Sequence, residues 1–182
     1  MSNEELTVLN KILFRKKGVE MRKGSEIDKI DLKILSELQR KGRITNQDLA
    51  ALVSMSPSSC LHRVRRLEDA GLISSFHARL NLKKMTSSIT CFTSIRFTDH
   101  TNEVFKEFEA AIADLPVVLE SYSVSGEFDY LLKVIARDMD EYVRFTDGLL
   151  GRLSAKVTIS THVVMNENKV NGAYPLDQLV EV

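Results

Sequence analysis

The sequence predicts an α+β protein, with an N-terminal three-helix winged helix-turn-helix domain followed by a C-terminal ferredoxin-like βαββαβ domain. Three observations carry this expectation. Apolar residues recur at helical spacing as far as Gly71, and beyond it strand-like and helical periods alternate. Thr45 and Ser56 offer two helix starts with different capping chemistry. The net charge of zero conceals a division: residues 1–84 hold 17 Lys and Arg against 10 Asp and Glu, whereas residues 85–182 hold 8 against 15. Such asymmetry suits a basic half that meets nucleic acid and an acidic half with other work.

Taken in order, residues 1–24 read as an extension. Leu6, Leu9, Ile12 and Leu13 are an amphipathic candidate, followed by the basic run Arg15, Lys16, Lys17 and a second methionine at Met21. A partner-binding helix, a basic arm that adds phosphate contacts, and an extension from an upstream start codon all remain open. The helix-turn-helix domain is expected over residues 25–73. Ile27, Ile30, Ile34, Leu35 and Leu38 give its first helix, closed by Gly42. Thr45 with Asp48 has capping-box spacing, and Leu49, Leu52 and Val53 form the inward face of the second helix. Ser56 followed by Pro57 restarts helix, since proline at the first helical position gives up an amide that has no helical partner anyway. On this third helix Leu61, Val64 and Leu67, with Cys60 beside them, form a packing stripe, and Ser59, His62, Arg63 and Arg66 fall at i, i+3, i+4 and i+7 on another face. One face packs and the other can touch an anion, which is what a groove-reading helix needs.

After the stop at Gly71, Leu72 to Leu80 alternates well enough for a strand, and residues 74–87 are expected to be strand and linker, with the polar hinge at 81–87. Residues 88–182 form the second domain. Ile89 to Phe97 reads as strand, Thr101 to Leu115 as helix, Val117 to Val124 and Tyr130 to Ala136 as strands, Met139 to Leu153 as helix, and Val157 to Met165 as the last strand. That order is the split βαβ pattern, with both helices on one face of a four-stranded sheet. The other face is bare, so a second copy is expected to dock there.

Composition narrows the classes of function. With 43% apolar and 27% charged residues the chain is an ordinary globular one. No apolar run approaches the roughly 20 residues that span a bilayer, and the start of the chain lacks a secretion signal, so no membrane is expected and the cytoplasm is the expected compartment. Cys60 and Cys91 have neither C-x-x-C nor companion-histidine spacing and read as buried free thiols. No nucleophile motif, metal motif or phosphate loop occurs. No catalytic or metal-ligating residue, and no cofactor, is therefore expected.

The residues also resemble a known family. Ile27-Asp28-x-x-Asp31, Ile34-Leu35, Gly42-Arg43-Ile44, Leu49-Ala50 and above all Ser56-Pro57-Ser58 through Arg63-Val64-x-x-Leu67-Glu68-x-x-Gly71-x-Ile73 look like the Lrp/AsnC feast/famine transcriptional regulators. Gly126-Glu127-Phe128-Asp129-Tyr130-Leu131-Leu132 matches their amino-acid-responsive domain, and the resemblance runs from about residue 27 to 167. Ser54 stands where these proteins usually have a turn glycine, and His62 where many have arginine. The resemblance implies a homodimer joined through its sheet faces, often assembled into a tetramer of dimers (an octamer), that binds double-stranded DNA and senses an amino acid or related small-molecule effector. Toward DNA it implies Ser58, Ser59, His62, Arg63 and Arg66, flanked by Arg65 and Arg43. Toward the effector it implies Gly126 and Asp129, the first through a permissive backbone and the second through an ammonium group, with Tyr122, Ser125, Thr161 and His162 on nearby strands. Gly-x-x-Asp is also ordinary turn chemistry. An enzyme alternative exists on the same architecture, the sirohaem decarboxylases, but here the basic helix face is kept and the four histidines are scattered.

Overall fold

A computed structural model of the chain describes residues 27–169 and 172–182, and the extension at residues 1–24 lies outside them. Contacts gather the chain into two compact units, residues 80–168 and the remainder.

The first unit holds helices α1 (Lys29–Arg40), α2 (Asn46–Leu52) and α3 (Pro57–Asp69). Their starts follow from the caps. Asp28 accepts from the amides of Ile30 and Asp31, and Asp31 returns a bond to the Asp28 amide, which completes a capping box. Thr45 Oγ1 accepts from the Asp48 amide at 3.1 Å and donates to its carboxylate at 2.6 Å. Ser56 caps α3 with Pro57 at the first position. Ile34, Leu49, Ala50, Val53, Cys60 and Leu67 are buried together as the core of the three helices. Burial raises the pKa of the Cys60 thiol, in keeping with a packed, inert sulfur. Ser54, in the turn between α2 and α3, has φ 56°, the left-handed backbone that the usual glycine adopts without strain. Gly71, at φ 72°, stops α3.

Two expectations are corrected in this unit. Residues 72–80 form no strand. A strand needs a ladder for its amides and carbonyls, and no partner strand lies alongside among the described residues. Phe76 and Leu80, whose alternation suggested a buried face, are 50% and 63% exposed. The tail is the second correction: residues 169–182 group with the helices and not with the sheet domain to which residues 88–182 were expected to belong. A short helix α6 (Leu176–Leu179) lies by α1, and the Tyr174 amide donates to Gln39 Oε1 at 2.8 Å.

The second unit is the β-α-β-β-α-β order: β1 (Ile89–Phe97), α4 (Asn102–Ala113), β2 (Val118–Ser123), β3 (Tyr130–Ala136), α5 (Met139–Leu150) and β4 (Val157–Val163). The sheet runs β2-β3-β1-β4 with every neighbouring pair antiparallel. Cys91, Thr93, Ile95 and Phe97 of β1 and Tyr130, Leu132, Val134 and Ala136 of β3 are buried on the helix side. Phe97, Phe105, Phe108 and Tyr130 meet there edge to face. The register sets the opposite face: Phe92 lies between Lys133 and His162, Ser94 between Leu131 and Ser160, and Tyr122 beside Leu131. No helix of this unit covers it. No described helix is long and apolar enough to cross a membrane.

Candidate nucleic-acid interface and effector region

Helix α3 carries most of the residues expected to meet DNA, and its two flanks differ. Successive residues turn by about 100°. With Cys60, Val64 and Leu67 facing the core, Arg63 and Arg66 fall on one flank, toward α1, Leu61 falls on the other, and Ser58, Arg65 and His62 lie on the outer side. The structure uses the inner flank for an ionic clamp. Arg63 Nη1 donates to Asp28 Oδ2 at 2.6 Å and to Asp31 Oδ1 at 2.9 Å, and Arg66 Nη2 pairs with Asp31 Oδ2. Asp31 is fully buried, whereas the side chains of Arg63 and Arg66 are 24% and 39% exposed. The backbone amide of Asp31, then the Arg63 guanidinium, hold the Asp28 carboxyl below its ordinary pKa, and the two aspartates raise that of Arg63.

The row read as one basic face therefore divides. Arg63 and Arg66, expected to meet DNA, each commit a guanidinium nitrogen to the start of α1. Ser58, Ser59, His62 and Arg65 remain exposed on α3, and Arg43 is exposed just before α2. At the helix start the Ser56 hydroxyl donates to Ser59 Oγ at 2.8 Å and lies 3.1 Å from Ser58 Oγ, which gathers three hydroxyls where the helix amides point outward. Asn46 Nδ2 donates to the Pro57 carbonyl at 2.8 Å and so fixes the start of α3 against α2. Leu61, placed by its spacing on the packing stripe, is 39% exposed. In the sequence the aspartates at residues 28 and 31 were marked only by the family resemblance, and their pairing with Arg63 and Arg66 spans more than thirty residues and has no local signal.

The effector candidates separate as well. Gly126 has φ 120°, a conformation that L side chains rarely adopt, in the exposed turn between β2 and β3, with Ser125 beside it. Asp129 is committed within the chain: Oδ2 accepts from the Phe97 amide at 2.7 Å, and Oδ1 faces His100 Nε2 at 3.2 Å. Its backbone holds the turn too, the Val124 amide donating to the Asp129 carbonyl and the Asp129 amide to that of Ile95, each at 2.9 Å. That carboxylate anchors the hairpin to the end of β1, as ordinary turn chemistry would. Tyr122, on β2, donates to Glu120 at 2.6 Å, and Glu120 also accepts from Lys133 at 2.9 Å. Tyr122, then Lys133, lower the pKa of Glu120.

Thr161 and His162 lie on β4, at the other edge of the sheet from Tyr122. Three strand spacings of about 4.8 Å separate the edges, so one chain does not bring these candidates together. Thr161 also faces the helix side, where its hydroxyl lies 2.6 Å from Tyr142 Oη, itself 2.8 Å from Thr93 Oγ1. His162 faces the open side beside Phe92. No group of three or more His, Cys, Asp or Glu that could hold a metal ion occurs among the described residues.

Comparison with known proteins agrees with both halves. Residues 27–74 match the winged helix-turn-helix DNA-binding family, and residues 90–174 match the Lrp/AsnC ligand binding domain. The leucine-responsive regulatory protein of Haemophilus influenzae is 42% identical over 153 residues, covering 84% of this chain and 92% of the relative. Its counterpart in Escherichia coli is 41% identical over 148 residues, covering 81% and 90%. Among solved structures, a Neisseria meningitidis transcriptional regulator in complex with L-methionine superposes with TM-score 0.79 at 33% identity, covering 85% of this chain and all of that one. A feast or famine regulatory protein of Mycobacterium tuberculosis, complexed with L-methionine, gives 0.72 at 25% identity, covering 80% and 96%. These relatives are regulators, and none supports the enzyme alternative. A three-helix reader joined to a ferredoxin-like ligand domain, matched along both halves, places the chain in the Lrp/AsnC family as a DNA-binding transcriptional regulator with a ligand-binding domain.

Proposed function

We propose that the chain acts in the cytoplasm as a homodimer, paired through the open sheet faces, whose two α3 helices read double-stranded DNA. The outer side of α3 carries the reading: Ser58, His62 and Arg65 stand in one exposed row, with the hydroxyl-rich helix start at Ser59 and Arg43 to the side. Arginine and histidine on an exposed helix suit base edges and phosphates, while serine hydroxyls and helix amides suit phosphates. Arg63 and Arg66 then support the helix from its inner flank. Phe92, Leu131, Ile135 and Tyr122 supply the apolar part of the pairing face, and assembly beyond the dimer follows from further contacts of the same domain.

The effector on this reading is a free aliphatic amino acid of the leucine or methionine type, in keeping with the relatives' names and with the methionine in the two solved complexes. The turn at Gly126 and Ser125 lines its site with Tyr122. Residues of β4, at the opposite edge, join it only from another copy.

Fluorescence anisotropy on labelled duplexes at several salt concentrations tests the DNA face. Each phosphate contact contributes about 0.9 to the slope of log affinity against log salt, so Arg65→Ala should reduce that slope by about one unit for each phosphate that Arg65 touches, and Arg66→Ala should leave it unchanged. Parental affinity and parental slope together for Arg65→Ala would refute the face. Calorimetric titration with the twenty amino acids tests the effector, and no heat with leucine or methionine would refute that part. Sedimentation of Leu131→Glu as a monomer is the outcome expected of the sheet-face dimer.

A further inference from the structure

We infer that Leu61 is a specificity residue of α3 that reads the C5-methyl group of thymine in the major groove. The inference rests on the outer side of α3 being the DNA face. Leu61 is not needed to fill the three-helix core, where Cys60 and Leu67 are buried and Val64 packs against them. It is 39% exposed, one turn from Ser58 and one turn from Arg65 on the same side of the helix. A large aliphatic side chain at the edge of a polar reading row is suited to a base-edge group that is itself apolar. The base edges that face an α-helix in the major groove offer one such group, the thymine methyl, while their other features are hydrogen-bond donors and acceptors. Arg65 beside it can take a phosphate or a guanine edge, so the pair would read a thymine adjacent to a charged or guanine contact.

The probe is a duplex selected from a random pool by the full-length chain, then remade with deoxyuridine replacing thymine at one position at a time, which removes a single methyl and leaves base pairing intact. The parent should lose about fourfold in affinity at one or two thymines of each half-site, the effect of one buried methyl. Leu61→Ala should bind the thymine duplex about that much more weakly and respond to deoxyuridine at those positions by less than 1.5-fold (roughly the limit of the measurement). Its melting temperature should stay near the parent's, because the side chain leaves no large cavity. Leu61→Ala with parental affinity, or with the parent's deoxyuridine response, overturns the inference. If Arg65→Ala weakens binding while Leu61→Ala does not, the DNA face stands and only the thymine reading falls. If neither does, the face itself is refuted.

Discussion

Replacing Asp31 with alanine should unfold the amino-terminal unit well before it disturbs DNA binding. The fully buried carboxylate serves three donors: Arg63 at 2.9 Å, Arg66, and the Asp28 amide at 3.1 Å. Losing the capping-box half costs about 1 kcal/mol. Removing one partner of a buried ion pair costs about 3–5 kcal/mol when the other charge is trapped. Here the arginines are partly exposed and Arg63 keeps Asp28 at 2.6 Å, so the ionic part is discounted to about 2 kcal/mol. The total of about 3 kcal/mol corresponds to a drop of roughly 12 °C or more in melting temperature for so small a unit. Circular dichroism melts of full-length Asp31→Ala and Arg65→Ala, followed by anisotropy at 5 °C, separate the two roles. Asp31→Ala should melt early and, where folded, keep its salt slope; Arg65→Ala should melt within a few degrees of the parent and bind weakly. A melting temperature for Asp31→Ala within 3 °C of the parent would refute the clamp.

Three further outcomes follow from the same geometry. At Gly126 a Cβ would meet nothing within 4 Å, so Gly126→Ala should act through backbone strain alone, costing about 1–3 kcal/mol or shifting the turn, with weaker amino-acid binding by calorimetry. Ser54 holds left-handed backbone, and Ser54→Gly should gain roughly 0.5 kcal/mol, relief of strain less the added freedom of the unfolded chain, seen as a rise of about 3 °C in melting temperature. Asp28 is depressed in the fold, so its contribution is complete above the unfolded value of about 3.9 and is lost as pH falls through the lower folded value. Melting temperature should therefore fall below pH 4, and less steeply in Arg63→Gln, in which the Asp31 amide still supports the carboxylate.

Much of the fold was legible because its signals are local. Thr45 and Ser56, read as caps from the sequence, each sit one residue before a helix and satisfy an amide within three residues, as do Asp28, Thr101 and Asp138, which the structure adds. The four strands of the sheet domain follow from alternation because one face is buried under two helices. The same alternation misled at Leu72 to Leu80. A period of two marks a backbone able to be extended, but whether it becomes a strand depends on a pairing partner, which no stretch of nine residues can report.

The site was less legible for a related reason. A helical wheel distinguishes a core face from the rest, and it put Arg63, Arg66, His62 and Ser59 together because they are polar and near one another in angle. Which polar residues meet solvent is decided by the neighbouring helix, and α1 arrives with Asp28 and Asp31 on the flank that holds both arginines. Charge pairs across more than thirty residues engage both arginines with the start of α1, and on the proposed reading the DNA contacts then pass to exposed residues such as Arg65, which the resemblance had placed at the flank of the row. Asp129 repeats the pattern in the other unit, where an acidic residue suited to an ammonium group is taken by the Phe97 amide and His100. In both cases a charged side chain pairs with a complementary group that the folded chain brings to it, and a pattern read within one helix or one turn carries no record of that partner.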